Sequence, residues 1–304
     1  SCNDKLDLTT DGRISRGEIF QDRYKIMGWL NSCYNYCPGV SLTRAGYTDE
    51  THHSDAGTSN GQNYYNFYQG ATSSSSWYGP DNPWESLFQG IRKCNIFITG
   101  MQVNTLPSNV TQKDREQWMA EAYTMRALYY WQLVKRYGGV PLILKVQQLS
   151  DPYEELYPKR ATEEAVYQFI LDEMNDIIDN RLLPDTYGAA DLGRPSLYAA
   201  AALKSRAAMY AGSIASWGTV QIDGLVGIPA DKKEHFWQES LNASNRLLHG
   251  SPFALYEKYP DDRSKNYRNI FLDENNCEVI FSEIYDGKSG KGHSWDMWQN
   301  PSGY

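Results

Sequence analysis

Two polar stretches of the chain, residues 40–83 and 285–304, are rich in Ser, Gly and Asn and carry aromatic side chains. Tyr and Trp combine a flat apolar face with a polar tip, and loops that cannot bury such rings often form binding surfaces. The alternative is local packing, in which a long loop builds a small core of its own. The aromatic candidates for ligand binding are Tyr47, Tyr65, Trp77, Tyr78, Trp295 and Trp298.

The first stretch also carries carboxylates that suit a hydroxylated ligand. A sugar ring has an apolar C–H face and a polar rim, so it can stack on an aromatic ring and hydrogen-bond at its edge. Asp49 and Asp81 can accept hydrogen bonds from such hydroxyl groups. The two stretches therefore favour sugar binding over catalysis.

The motifs of several enzyme classes are missing from the sequence. There is no nucleophile elbow, no metalloprotease histidine pair and no dinucleotide glycine fingerprint. The sequence Gly287-Lys288 resembles part of a phosphate-binding loop, but Ser282 stands where that motif needs its first glycine. His52 and His53 are adjacent and cannot easily bind one metal ion together, so a solvated loop is expected there. We predict no catalytic residue, no metal site and no cofactor.

The amino-acid composition limits the kinds of partner that this protein can bind. The 304-residue chain has 29 basic and 37 acidic residues and a formal charge of −8, which disfavours nucleic acid. No run of about 18 apolar residues is present, so no membrane-spanning helix is expected. The five cysteines do not form a disulfide or zinc pattern. Cys2 stands at the N-terminus before a polar run, where a cysteine of a mature chain can carry a lipid anchor.

Hydrophobic periodicity of the helical type dominates the rest of the chain. Cap residues, Gly and Pro mark the helix ends, and three later helices start at a spacing close to the roughly 34-residue period of helix-turn-helix solenoids. Two short runs, Val140–Lys145 and Glu278–Tyr285, have the pattern of strands. The predicted helices are Ile14–Tyr36, one from Trp84, Thr111–Tyr137, Thr162–Leu183, one with Pro195 in its first turn, and Lys233–His249.

Several blocks of sequence, in the right order, resemble one family. The most specific is EAYTMRALYY at residues 121–130, continued by YGGVPL at residues 137–142. Others are CNDKLD at residues 2–7, YTDE at 47–50 and the alanine-rich segment that follows Gly193-Arg194-Pro195-Ser196. The chain is identified by this resemblance as a member of the SusD/RagB family, the surface glycan-binding lipoproteins of Bacteroidetes that serve nutrient uptake.

The resemblance implies a mainly α fold, an α/α superhelix of tetratricopeptide-like helix pairs with long loops and a few short strands. It implies one SusD-like domain over residues 1–304, with a helical scaffold at about 84–250 and glycan-facing segments at about 40–83 and 285–304. Family members are usually longer, so part of their C-terminal region is expected to be missing here. We expect Glu121 and Arg126 to brace neighbouring helices rather than contact a ligand.

The resemblance further implies non-catalytic binding of an oligosaccharide or polysaccharide and its delivery to a SusC-like TonB-dependent transporter. The protein would sit on the surface of the outer membrane, with Cys2 as the lipidated residue. Two other classes stay open on the residues alone: a helical glycoside hydrolase or lyase, which needs a matched acid and base, and a protein-interaction scaffold that uses helix faces.

Overall fold

Long α-helices make up most of the computed structural model, which describes residues 16–37, 39, 82–274, 276–285 and 292. Short 3₁₀ turns occur at Tyr34–Tyr36, Ala189–Asp191, Ile222–Gly224 and Ala230–Lys232. The α-helices are α1 Arg16–Ile19, α2 Arg23–Cys33, α3 Trp84–Val103, α4 Gln112–Tyr137, α5 Tyr153–Leu156, α6 Glu163–Asp179, α7 Leu197–Trp217, α8 Lys233–Gly250 and α9 Arg263–Ile270.

The long helices pack in sequence, each against the next: α3 on α4, α4 on α6, α6 on α7 and α7 on α8. Neighbours run antiparallel. At one side of the scaffold the Arg115 side chain at the start of α4 donates to the Met101 carbonyl near the end of α3. On α7 and α8, the Tyr198 hydroxyl at the start of one helix donates to the Gly250 carbonyl at the end of the other. The result is the predicted series of helix pairs.

Local capping explains where several helices begin. The Thr111 hydroxyl accepts from the Asp114 amide, and the Asp114 carboxylate accepts from the Thr111 amide, which forms a capping box at the start of α4. Thr162 caps α6 in the predicted way. The prediction for α7 was wrong by two residues: Pro195 precedes the helix, because the Ser196 hydroxyl caps it by accepting from the Ala199 amide.

Two predicted helices differ in length from those observed. The segment predicted as Ile14–Tyr36 is interrupted after α1, because the Asp22 carboxylate accepts from the Lys25 amide and starts α2 as a separate helix. The helix predicted to reach Leu183 ends at Asp179, and Arg181 just beyond it has a left-handed backbone with φ of 50°.

Neither predicted strand forms. In the described ranges, β pairing is limited to one bridge between Gln221 and Val226. Residues 140–145 form no strand: side chains bind the backbone of Ile143, and the Ala161 amide donates to the Val140 carbonyl. In residues 276–285 the backbone turns instead: the Val279 amide donates to the Asn276 carbonyl, and the Glu278 amide donates to the Asn276 side chain.

The core lies between the long helices, and α4 is its centre. Most of the side chains of α4 are buried, as its nearly continuous apolar circumference predicts. Along α7, Ala200, Ala207 and Ala211 are fully buried and let α6 and α8 approach closely. None of the helices among the described residues is both long and apolar enough to cross a bilayer.

An ion pair at the capping box connects α2 to α4 and makes stability depend on pH. The Arg23 guanidinium donates to both oxygens of Asp114, at 3.0 and 3.1 Å. This pair and the Thr111 bonds hold the pKa of the Asp114 carboxyl well below its usual range. The pair therefore stabilises the fold above about pH 3.9, the ordinary pKa in an unfolded chain, and this stabilisation is lost as the pH falls through the folded pKa.

We expect Asp114→Asn to lower the free energy of unfolding by about 1 kcal/mol near neutral pH, because a neutral amide replaces the carboxylate that pairs with Arg23. The difference from wild type should shrink as the pH is lowered below about 4. Urea titrations at several pH values measure this, with Asp172→Asn as the matched control on an exposed helix face. A difference that stays constant from pH 7 to pH 3 would contradict the assignment.

Candidate functional site

The binding residues predicted from the sequence lie outside the described residues. This holds for Tyr47, Asp49, Tyr65, Trp77, Tyr78, Asp81, Trp295 and Trp298, for the proposed anchor Cys2, and for the histidine pair His52 and His53. The structure describes the helical scaffold that precedes and follows residues 40–81 in the sequence.

The described residues on either side of residues 40–81 contact the same helix, α4. Before the stretch, the Cys37 sulfur lies 3.9 Å from the hydroxyl of Tyr129 in the second half of α4. After it, the Asn82 side chain accepts a hydrogen bond of 2.7 Å from the hydroxyl of Tyr137, the last residue of α4. Cys37 and Asn82 therefore both contact the second half of α4. The end of the scaffold where α3 begins at Trp84 and α4 ends at Tyr137 is called here the aromatic end.

Aromatic rings gather at this end. Trp84, the first residue of α3, contacts Tyr137 edge-to-face with ring centroids 5.1 Å apart and lies 5.0 Å from Phe88. Phe88 in turn contacts Tyr130 edge-to-face. Trp84 and Phe88 stay half-buried, so part of each ring remains available on the surface.

An open groove runs beside these rings, between the first half of α3 and the connection formed by residues 139–158. Its larger part encloses about 440 Å³ and its smaller part about 260 Å³, and the two share Trp84, Phe88 and Ile143. Such volumes suit a small ligand or a few sugar rings. Polar side chains line the larger part: Glu85, Gln89, Arg92, Asn95, Lys145 and Gln147.

The outer wall of the groove, residues 139–147, is held by side chains of α3 and α4. The amide and the carbonyl of Ile143 both bond to the Tyr130 hydroxyl, at 2.7 and 3.1 Å. The Asn95 side chain donates to the same carbonyl at 2.8 Å. These bonds satisfy a backbone that has no strand partner in the described part of the chain.

A buried ion pair fixes Asn95 in turn. The Arg126 guanidinium donates to the Asn95 side-chain oxygen at 2.7 Å and pairs with Glu173 on α6. Burial raises the pKa of the Glu173 carboxyl, while the charge of Arg126 opposes that rise. Arg126 also lies over the ring of Tyr123. Arg126 thus braces α3, α4 and α6 behind the groove, as predicted, and does not open into it.

Glu121 braces a second junction. Its side chain is fully buried, and it accepts from the Arg194 guanidinium at 2.9 Å and from the Tyr34 hydroxyl at 2.8 Å. Arg194 also donates to Asn31 on α2. This cluster connects α2 to α4 and to the segment before α7, so it has a structural role.

The residues at the two ends of the groove were not predicted from the sequence. The guanidinium of Arg92 on α3 donates to the Gln147 carbonyl at 3.0 Å and spans the groove at one end. At the other end Tyr153 and Tyr157 are 71% and 67% exposed, with ring centroids 4.8 Å apart and planes 34° apart. The available sequence signal for this end was a pair of tyrosines four residues apart in a polar connection.

The described residues do not supply a metal centre. No group of three or more His, Cys, Asp or Glu side chains among them is arranged to hold an ion. Among the described residues that line the groove, Glu85 is the one carboxylate, and it accepts from Gln89 at 3.0 Å. A single carboxylate does not make the acid and base pair of a glycoside hydrolase.

Comparison with known proteins agrees with the resemblance read from the sequence. The family described as "Starch-binding associating with outer membrane" (SusD-like_3) matches residues 6–209 of the chain. A curated relative, SusD-like protein P25 of Formosa agariphila, is 25% identical over 199 residues, which are 66% of this chain and 31% of that protein.

Solved structures show the same fold. A SusD-like protein from Bacteroides fragilis superposes with a TM-score of 0.66 at 22% identity, covering 88% of this chain and 46% of that one. Surface glycan-binding protein A from Bacteroides thetaiotaomicron, in complex with laminarihexaose, gives 0.61 at 17% identity and covers 87% and 50%. The chain thus spans about half the length of these structures and a third of the curated relative. With the family match extending over two thirds of its residues, the chain belongs to the SusD-like family.

Proposed function

We propose that the protein binds an oligosaccharide or polysaccharide at the cell surface without cleaving it and delivers it to a SusC-like TonB-dependent transporter. The observation that carries the proposal is the aromatic end, where the rings of Trp84 and Phe88 border a groove that polar side chains also line. Flat rings beside hydrogen-bonding side chains are the chemistry that a sugar requires.

The comparisons support the same class of ligand. The family is described as starch-binding and associated with the outer membrane, and one structural neighbour is a complex with laminarihexaose. Because the chain spans only part of these proteins, the transporter partnership, the surface location and the lipid on Cys2 are proposed with the function. The one-domain division into a scaffold at about 84–250 and glycan-facing segments at about 40–83 and 285–304 is proposed in the same way.

The loop aromatics are proposed to supply further stacking surfaces. We expect the double variant Trp77→Ala/Tyr78→Ala to weaken binding of the recognised polysaccharide by about tenfold or more, because each stacked ring contributes about 1 kcal/mol beyond the area that it buries. Affinity electrophoresis against a panel of neutral and anionic polysaccharides identifies the ligand, and calorimetry with the wild type and the variant measures the loss.

Tyr24→Ala is the matched control, since Tyr24 is 84% exposed in the first turn of α2, away from the aromatic end. The same samples are analysed for chain length after incubation. A bound polysaccharide of unchanged size supports capture without turnover. Shortened products would overturn the non-catalytic proposal, and unchanged affinity of the double variant would remove these two rings from the site.

A further inference from the structure

Two cysteines from different helices meet in the core of the protein. Cys33 is the last residue of α2, Cys94 lies near the middle of α3, and both are fully buried free thiols. Their thiol groups hydrogen-bond to each other. The fold therefore brings together two cysteines that no spacing pattern in the sequence connects.

Contacts around the two cysteines hold the same two chain segments together. The Lys93 ammonium donates to the Ser32 hydroxyl at 3.2 Å, and these residues directly precede the two cysteines in the sequence. The Trp29 indole N–H donates to the Lys93 carbonyl at 3.3 Å. One turn earlier on α3, a Cβ atom on Gly90 would lie 2.9 Å from the Cβ atom of Tyr36, just after α2. The segments thus approach closely, as a disulfide with Cβ atoms about 3.8 Å apart requires.

Burial determines when these thiols can react. Burial raises the pKa of the Cys94 thiol, and the contact with the Cys33 thiol raises it further. Because a thiolate rather than a thiol attacks a disulfide, the pair is unreactive once α2 has packed on α3. Oxidation is therefore expected during folding, before the two helices associate. The same burial would then shield the product from attack by reducing thiols.

We propose that Cys33 and Cys94 form a disulfide bond in the mature protein. The oxidant is an organic disulfide, carried by a thiol oxidoreductase or by a small molecule. The thiolate of one cysteine forms a mixed disulfide with it, and the thiolate of the other cysteine then displaces the oxidant. Each cysteine loses its proton, the pair gives up two electrons, and the oxidant leaves as two thiols. The oxidising compartment rests on the proposed function, because disulfides persist in the bacterial periplasm and at cell surfaces.

The bond would close a covalent loop that contains the first polar stretch. Residues 40–81 lie between Cys33 and Cys94 in the sequence and include the predicted binding residues of that stretch. A cross-link between α2 and α3 would tie the helix before the stretch to the helix after it. It would also remove freedom from the unfolded chain, and it removes more for a longer loop. Oxidation should therefore stabilise the attachment of α2 to the scaffold.

Peptide mapping tests the bond directly. Cells that naturally express the full chain are lysed in denaturant with an alkylating reagent, and the digested protein is analysed by mass spectrometry without reduction. We expect a linked pair of peptides that contain Cys33 and Cys94, and this pair should disappear after treatment with dithiothreitol. Complete alkylation of both cysteines, or a bridge to Cys37 or Cys277 instead, would overturn the proposal. Cys277→Ser is the matched control, since Cys277 is exposed and its loss should leave the linked pair intact.

Thermal unfolding gives a second readout. Protein reduced in denaturant and refolded in dithiothreitol should have a Tm about 5 °C below that of the oxidised wild type, because its unfolded chain is no longer cross-linked. In Cys33→Ala and in Cys94→Ala the same treatment should leave the Tm unchanged, whatever the substitution itself costs. Cys277→Ser should respond as the wild type does. Equal Tm values for oxidised and reduced wild type would overturn the stabilising cross-link.

Polysaccharide binding, measured on the same samples, separates this proposal from the proposed function. A glycan bound by protein that lacks the linked pair in its native cells would overturn the disulfide and leave the proposed function standing. A linked pair in protein that binds no glycan in either redox state would support the disulfide and overturn the proposed function.

Discussion

Replacing Arg194 with alanine is expected to lower the free energy of unfolding by about 3–5 kcal/mol, because it leaves a buried carboxylate without its cation. Arg194 pairs with the fully buried Glu121 and donates to Asn31 and Asp191 as well. Burial raises the pKa of the Glu121 carboxyl, and Arg194 and Tyr34 oppose that rise. Chemical denaturation at neutral pH measures the loss.

Two further variants separate the causes of that loss. The double variant Arg194→Ala/Glu121→Gln should recover part of the stability, because the unpaired charge is no longer buried. Arg181→Ala removes an exposed pair with Asp185, in which the side chains are 59% and 46% exposed, and should cost less than about 1 kcal/mol. An Arg194→Ala protein as stable as Arg181→Ala would show that the buried cluster does not hold α2 in place.

A methyl group on Gly139 should destabilise the protein by about 3 kcal/mol, at the upper end of the usual cost of overpacking. A Cβ atom there would lie 2.0 Å from the Ala161 carbonyl oxygen and 3.0 Å from the Glu163 nitrogen, all backbone atoms that cannot swing away. Gly139 also donates to the Leu225 carbonyl, so the chain cannot move outward without losing that bond. Gly139→Ala is measured by thermal and urea unfolding.

Gly188→Ala is the matched control for this substitution. A Cβ atom at Gly188 meets nothing within 4 Å, and its φ of −72° is open to alanine. That variant should be neutral or slightly more stable, because alanine has less freedom in the unfolded chain. Equal stabilities of the two alanine variants would mean that the turn between α4 and the groove wall adapts, contrary to the close packing described.

Sequence patterns predicted the helical scaffold well because the signals for helix ends are local. Thr111 and Asp114 form their capping box within one turn, and Gly138, with φ of +66°, ends α4 where the chain must adopt a left-handed backbone. The prediction of a strand at residues 140–145 was wrong for a related reason. An apolar run has the same sequence pattern whether its backbone amides and carbonyls bond to a neighbouring strand or to side chains. Here one bonding side chain belongs to Asn95, which lies 48 residues before Ile143 in the sequence.

The site was less predictable than the fold. The sequence predicted Trp84 only as the start of a helix, since nothing in α3 alone shows that a groove borders Trp84 and Phe88. Arg92 and Tyr157 acquire their positions when α3 and residues 139–158 come together, and that proximity depends on contacts such as the one between Arg92 and the carbonyl of Gln147, 55 residues apart. The loop aromatics chosen from the sequence stay predictions.

The order of folding follows from the way residues 139–147 are held. Helices α3 and α4 are neighbours in sequence and can associate early, because their contacts are local. The wall can dock only afterwards, since its hydrogen-bond partners Asn95, Tyr130 and Arg126 come from both helices. We expect it to open again by local unfolding while the helices persist. A ligand in the groove would then favour the docked wall, and its affinity would include the free energy of that local step.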